Sequence, residues 1–418
     1  MHLEHYRCFE DLDIDFDDRL TVLVGANGAG KTAVLDALGV FLQWAGHPKK
    51  REVIDCAMPA ADVAIGRNPE NLGYRLEVRA PGDVSEQLDF SFKKVESIIQ
   101  DNRLFSQAPD AFWRLKGLLD AEKPVFAAYM AGRFISEKES VLAKNTYEPS
   151  DHSAFENNFA RTIDYASTLS WFNNVDADEA RAMRDDEQKT ELPELKALRE
   201  ALSKALLGQY ERPRMLGSPP ELVIYQKGTK LAYKVSQLSD GYRAMLALVM
   251  DLARRMAQAH GDGQPGESPL HSPAIALIDE VELHLHPSWQ QTVLPTLRGI
   301  FPHTQFIVST HSPQVLTSIP ARHIRILSEG QAYTVSEQTQ GAEASQLLKH
   351  IFGVEPRPKH LPIVKALHRY ATLVYNEQWD TPEAEKLRKK LVKHYGPLNP
   401  KLMELDLHIE NGKWERGL

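Results

Sequence analysis

The stretch Leu20-Thr-Val-Leu-Val24-Gly25-Ala-Asn27-Gly28-Ala-Gly30-Lys31-Thr32 decides how the rest of the chain is read. Its first five residues are almost wholly apolar, the pattern of a short strand buried on both faces. Gly25 ends that run, and the eight residues from Gly25 to Thr32 fit G-x-x-x-x-G-K-[ST] at every fixed position. From Ala33 to Trp44 the apolar residues Val34, Leu35, Leu38 and Leu42 recur at helical spacing. Strand, glycine-rich turn and helix in that order make an anion cradle. The glycines let backbone N–H groups wrap phosphates, the helix N-terminus adds partial positive charge, Lys31 reaches the β and γ phosphates, and Thr32 offers a hydroxyl to magnesium. Gly25, Asn27, Gly28, Gly30, Lys31 and Thr32 are the candidate phosphate contacts. A glycine-rich turn that merely precedes a lysine would need neither flanking element.

Working outward, three further segments carry chemistry. Ala274-Ile-Ala-Leu-Ile278 is an apolar strand that ends in Asp279-Glu280. Such a strand delivers Asp279 to a sheet edge, where it can hold Mg2+, and sets Glu280 to orient and deprotonate a water. A strand followed by a solvated acidic turn is the plain alternative, and the motif gains weight from its company. Leu238-Ser239-Asp240-Gly241-Tyr242-Arg243 precedes a helix expected from Gly241 to about Ala259; Ser239 or Asp240 could simply cap it, and a capped N-terminus is also an anion site. Phe306-Ile-Val-Ser-Thr310-His311-Ser312 is a strand from Gln305 that ends in a histidine. His284-Leu-His286 invites a metal reading, but no cysteine or further acid cluster at ligand spacing accompanies it.

In this order and spacing the chain resembles the ABC-type ATPases, the superfamily of transporter motors and of SMC and RecF heads. The resemblance implies an α/β fold: an ABC-type P-loop head with an antiparallel β part, a helical insertion and a helical C-terminal extension. It also implies ATP and Mg2+ as ligands, with Ser239 and Gly241 binding the γ phosphate of ATP held by a partner subunit. Asp240 stands where a glycine is commoner. His311 takes the place of the switch histidine, and Lys31, Glu280 and His311 form the catalytic set. Glu282-Leu-His284-Leu-His286-Pro287 after the acidic pair marks the RecF-like and OLD-like branch. Ala128-Tyr129 with Gly132-Arg133, the segment Gln237 to Arg243 and Asp279 to Pro287 resemble the ATPase subunit of Septu-type antiphage systems, PtuA, which also accompanies some retrons. No clear Q-loop glutamine is seen, and Tyr129 to Arg133 is its positional candidate.

The resemblance implies a homodimer or higher oligomer with an HNH-type nuclease partner, nucleic acid being reached through that partner. An OLD-type nuclease is disfavoured, because the residues after His311 hold no strand-borne Glu and Asp-x-Asp set for two metals. A RecF-like or SMC-like repair ATPase remains the alternative.

The expected division is an N-terminal core part over 1–135, a helical insertion over 136–216, a second core part over 217–337, and a helical extension over 338–418 that docks a partner through Leu347, Leu348, Ile351 and Phe352. Strand pairs are expected at Tyr74–Arg79 with Leu88–Phe92 and at Leu222–Tyr225 with Leu231–Val235, and a further strand at Val125–Met130. At 418 residues, 42% hydrophobic and 25% charged, the composition is that of an ordinary globular protein. A net charge of −8 argues against a wholly basic nucleic-acid binder, and two cysteines are too few for a disulfide framework. The absence of an apolar run near 18 residues predicts no membrane span, so a cytoplasmic location is expected. The basic run Lys386 to Lys393 reads either as a solvated helix face or as a nucleic-acid contact.

Overall fold

In the computed structural model, residues 1–46, 55–59, 62, 72–80, 84–91, 93–94, 103–107, 110–122, 124–131, 165–185, 191–218, 220–260 and 268–415 are described. The chain forms two units, Met1–Leu347 and Leu348–Leu418.

The first unit is organised by a six-stranded sheet of β1 (Leu20–Val24), β2 (Val125–Tyr129), β3 (Ala274–Ile278), β4 (Thr304–Ser309), β5 (Ile324–Ser328) and β6 (Gln331–Thr334). Their order is β6-β5-β1-β4-β3-β2, parallel except for the antiparallel edge strand β6. All five residues of β1 and of β2 are buried, which is why these runs lack polar alternation. Parallel strands bring their carboxyl ends to one edge, where ligands of open α/β sheets bind. The turns after β1, β3 and β4 carry the glycine-rich loop, Asp279-Glu280 and His311.

Helix α1 (Lys31–Gly46) begins at the lysine of the loop, and its apolar face joins a core with an antiparallel sheet of His2–Glu4, Asp11–Asp13, Gly73–Ala80 and Val84–Ser91. Trp44, Tyr74 and Phe90 meet there, with ring centroids of Trp44 and Phe90 5.0 Å apart. The Gly73–Ala80 and Val84–Ser91 pair corresponds to the strand pair expected at Tyr74–Arg79 with Leu88–Phe92, and sets Leu76 opposite Leu88; residues 81–83 lie outside the described ones.

The segment 136–216, expected to be helical, contains α2 (Tyr165–Asp185) and α3 (Pro193–Ala205) but ends in a strand, Tyr210–Leu216; residues 136–164 lie outside the described ones. Leu207 (φ +52°) and Gly208 (φ +67°) stop α3 in left-handed backbone, and Pro213 cannot donate within a helix. The strand pairs with Glu221–Gln226, and its register shifts between Glu211 and Arg214, where Arg212 takes a φ of +52°. Glu221–Gln226 in turn pairs with Ala232–Lys234 across Gly228 (φ +72°). The acidic texture of Asp176 to Glu200 is explained by Arg199, which gathers Asp176, Glu179 and Glu191.

Helix α4 (Asp240–His260) is buried on nearly every side from Met245 to Ala257, which requires its charged residues in that span to find internal partners. No helix of the described residues is long and apolar enough to cross a membrane.

The second unit packs α5 (Pro362–Tyr375), α6 (Pro382–Tyr395) and α7 (Pro400–Glu415) around Leu367, Tyr370, Val374, Ala384, Leu391, Leu402 and Leu405. Each helix starts with a proline, whose fixed φ and missing N–H suit the first helical position. Of the four apolar positions expected to dock a partner, Leu347 is buried, while Leu348, Ile351 and Phe352 are half-buried and the helix Ala344–His350 ends before the last two.

Candidate nucleotide site

The loop between β1 and α1 owes its path to its glycines. Gly25 has a φ of +156° and lies so close to β5 that a Cβ there would come 2.5 Å from the Leu327 carbonyl oxygen. Gly30, at φ +95°, would meet the Phe9 ring at 2.2 Å and the Cys8 sulfur at 2.8 Å. The N-terminal segment therefore braces the loop from behind, a role for Phe9 that nothing in its sequence signals. Lys31 is buried and its ammonium donates to the carbonyls of Gly25 (2.9 Å) and Ala26 (3.0 Å). Burial lowers the pKa of this ammonium, and Asp279, Glu280 and Glu282 oppose the shift.

At the end of β3, the Asp279 N–H donates to the Tyr129 carbonyl (2.8 Å), which fixes the acid between β2 and β4. One carboxylate oxygen accepts from the Thr32 hydroxyl at 2.9 Å, across 247 positions of sequence, and the other from the Ser309 hydroxyl. Ser309 also accepts from the Glu280 N–H (2.8 Å). Glu280 itself sits at φ +49°, a left-handed conformation that a glutamate adopts at a cost of roughly 1 kcal/mol or more. The turn thereby separates the directions of two adjacent acids.

His311 is placed by Glu282. One oxygen of that carboxylate accepts from the His311 N–H (2.6 Å) and the other from the Thr310 hydroxyl (2.7 Å), while Thr310 N–H reaches back to Leu23 on β1 (3.0 Å). The glutamate of Glu-x-His is thus a brace for the histidine loop. Ser312 continues the link through Gln290 (2.7 Å). Of the His-x-His pair, His286 caps the short helix Pro287–Gln290, and the one cluster of three potential ligands among the described residues is at His2, Asp11 and Asp13.

The structure thus brings Lys31, Thr32, Asp279, Glu280 and His311 to one sheet edge. Among the described residues no hydrogen bond joins Ser239 or Gly241 to Lys31, Thr32 or His311. Ser239 is exposed at the start of α4, where its carbonyl accepts from the Arg243 N–H (3.1 Å) and Arg243 pairs with Asp240. Gly241 faces the His284 backbone, and a Cβ would come 2.6 Å from that carbonyl oxygen, so only glycine fits. Tyr242 meets Trp289 edge-on at 4.4 Å, which ties the same helix end to the segment after His286.

A buried network missed by sequence reasoning links α4 to the sheet. Asp251 accepts from Arg254 (2.8 Å), Arg255 (2.7 Å) and the Tyr129 hydroxyl (3.1 Å). Burial raises the Asp251 pKa, but Arg255 and Arg254 outweigh it and hold the carboxyl down to about 2. Tyr129, the positional candidate for a Q-loop, thus points into the scaffold. Gly132 and Arg133 lie outside the described residues.

Residues 20–317 match the family described as "AAA domain, putative AbiEii toxin, Type IV TA system". The chain is 28% identical to the "Retron Ec83 probable ATPase" of Escherichia coli, over 99% of its own length and 87% of the relative's. It is 24% identical to the "Retron Vc95 probable ATPase" of Vibrio cholerae serotype O1 biovar El Tor, over 94% and 86%. To the "Septu protein PtuA" of Bacillus mycoides (strain KBAB4) it is 33% identical over 23% of its length and 13% of the relative's. With its phosphate loop, acidic strand and histidine all inside the matched span, the chain belongs to this AAA-domain family and is an ABC-type ATPase of the RecF/OLD-like branch.

Proposed function

We propose that two copies of this chain close around ATP and Mg2+, and that the closed and open dimers govern an effector nuclease, of HNH type, in antiphage defence. The observation that carries the ATP site is the 2.9 Å bond from Thr32 to Asp279, which puts the loop hydroxyl and the strand-end carboxylate within reach of one divalent ion. Mg2+ would neutralise charge on the β and γ phosphates. Loop N–H groups and Lys31 would bind the phosphates, Glu280 would orient and deprotonate the water, and His311 would donate to the γ phosphate.

The dimer reading is supported by the exposure of Ser239 and Asp240 at the start of α4, where among the described residues no hydrogen bond ties Ser239 or Gly241 to the phosphate-loop residues of the same chain. An exposed helix N-terminus of 21 residues is an anion site, and two-fold symmetry would set it over the phosphates of the other copy. The defence reading is supported by the retron relatives, matched across almost the whole chain, and by the Septu relative. The helical extension is the proposed dock for the effector.

Glu280→Gln tests the site and the dimer together. With the base removed, hydrolysis should fall on the order of a hundredfold while ATP still binds, so a dimer should accumulate with ATP in sedimentation or size exclusion. Turnover at the parental rate would remove Glu280 from the mechanism, and a monomer at saturating ATP would remove the shared site.

A further inference from the structure

Charge is unevenly divided along the chain. Residues 348–418 hold 13 Lys and Arg against 9 Asp and Glu, a formal +4, whereas residues 1–347 hold 36 against 48, a formal −12. Within the basic unit, the cations that face neighbouring helices are matched. Arg369 is bidentate to Glu383, Arg388 pairs with Asp406, and Lys401 donates to the Tyr375 hydroxyl of α5 while pairing with Glu404 of its own helix.

Helix α6 has four more lysines, Lys386, Lys389, Lys390 and Lys393, at i, i+3, i+4 and i+7. That spacing is one helix face, about 10 Å long, and it lies opposite the buried Ala384 and Leu391. All four are exposed, and among the described residues none has an ion-pair partner, not even Glu385, four residues before Lys389. Three of them, Lys386, Lys389 and Lys390, lie before the last turn of α6, where favourable interaction with the helix dipole no longer accounts for them.

We infer that this face of α6 is a binding site for the phosphate backbone of nucleic acid. A protein partner fits it poorly, because the centres of protein interfaces are depleted in lysine and want apolar anchors, and this face presents none. Polyanion surfaces are the reverse: they reward clustered compact ammonium groups through release of condensed counterions. Lysine supplies point charges without the planar fork of arginine, and the one guanidinium within the run, that of Arg388, is engaged by Asp406. Binding is therefore independent of base sequence. The inference does not rest on the nuclease reading, and it has this chain touch nucleic acid itself.

The test uses the full chain and a fluorescent oligonucleotide of about 30 nucleotides, single-stranded or duplex, across a series of salt concentrations. The variant K386Q/K389Q/K390Q/K393Q keeps helix-forming side chains, so its fold is preserved, which unchanged ATP binding by calorimetry would verify. Wild type should bind, with log affinity falling linearly in log salt. The variant should bind at least about tenfold more weakly at low salt, and its slope should flatten by roughly 2 for two to three lost phosphate contacts. Equal affinities and equal slopes would overturn the inference, as would a wild-type chain that binds neither oligonucleotide. Loss of self-association in the variant with oligonucleotide binding intact would assign the face to an acidic protein surface and overturn it too.

Discussion

Two buried carboxylates in the first unit, Asp279 and Asp251, are both almost inaccessible, yet they are held in opposite ways. Asp251 is enclosed by two guanidinium groups and the Tyr129 hydroxyl, all within one helix turn or across to β2. Asp279 accepts from the hydroxyls of Thr32 and Ser309, at the rim of a loop whose Ala26, Asn27 and Gly28 are exposed. Guanidinium partners neutralise a carboxylate permanently, whereas a hydroxyl can give way to a divalent ion or turn to become its ligand. The difference separates scaffold from site. It also shows how they meet, since Tyr129 bonds Asp251 through its side chain and Asp279 through its carbonyl.

The largest expected effect breaks the scaffold member of the pair. Asp251→Ala leaves Arg254 and Arg255 buried without their carboxylate, which should lower stability by about 3–5 kcal/mol. Chemical denaturation read by circular dichroism checks this. A change below about 1 kcal/mol would mean that water or other groups replace the aspartate, and that the network does not hold α4 to the sheet.

Acid sharpens the same comparison with a smaller effect. The folded Asp251 pKa of about 2 lies below the ordinary value of 3.8, so its pairing stabilises the fold above pH 4 and that contribution is lost as pH falls from about 4 toward 2. The loss should be on the order of 2 kcal/mol. Because other carboxylates also titrate there, the measurement is the difference between wild type and Asp251→Asn in denaturation midpoint at pH 5 and pH 2.5. Wild type should lose more over that interval; equal losses would show that the guanidinium pairing does not set the acid limit.

What sequence could show of this contrast followed from local pattern. The phosphate loop, Asp279-Glu280 and the histidine strand were legible because each is a short apolar strand with its chemistry at the carboxyl end, and β1, β3 and β4 fall at Leu20–Val24, Ala274–Ile278 and Thr304–Ser309. The residues that brace them were not. Phe9 behind Gly30, Ser309 between the two acids, and Asp251 against Tyr129 act over long sequence separations with no local periodicity to mark them. The β5–β6 hairpin escaped for a local reason. Its two-residue turn is Glu329-Gly330, with φ of +51° and +77°, where the usual signal is Asn-Gly or Asp-Gly. The strand Tyr210–Leu216 was hidden by the helical texture before it, although Pro213 argued against continuing a helix. Arg254 and Arg255 look like surface charges by composition, and only the all-round burial of α4 shows them to be interior.

The smallest effect concerns the site member and its nearest cation. Lys31→Ala removes the ammonium that would face the β and γ phosphates, and a charge-assisted hydrogen bond of this kind contributes roughly 1.5–3 kcal/mol. The parent chain does not realise all of that. Its ammonium already donates to the Gly25 and Ala26 carbonyls, so phosphate binding exchanges two loop bonds for two to phosphate, and burial works against the charge that makes the new bonds strong. The net loss should therefore sit at the low end, about 1.4 kcal/mol or a tenfold rise in the ATP dissociation constant by calorimetry, with the Asp251 network and overall stability unaffected. An unchanged dissociation constant would show that Lys31 serves the loop and not the nucleotide, which would place it with the scaffold and erase the distinction between the two clusters. A fall in stability comparable to that of Asp251→Ala would point the same way.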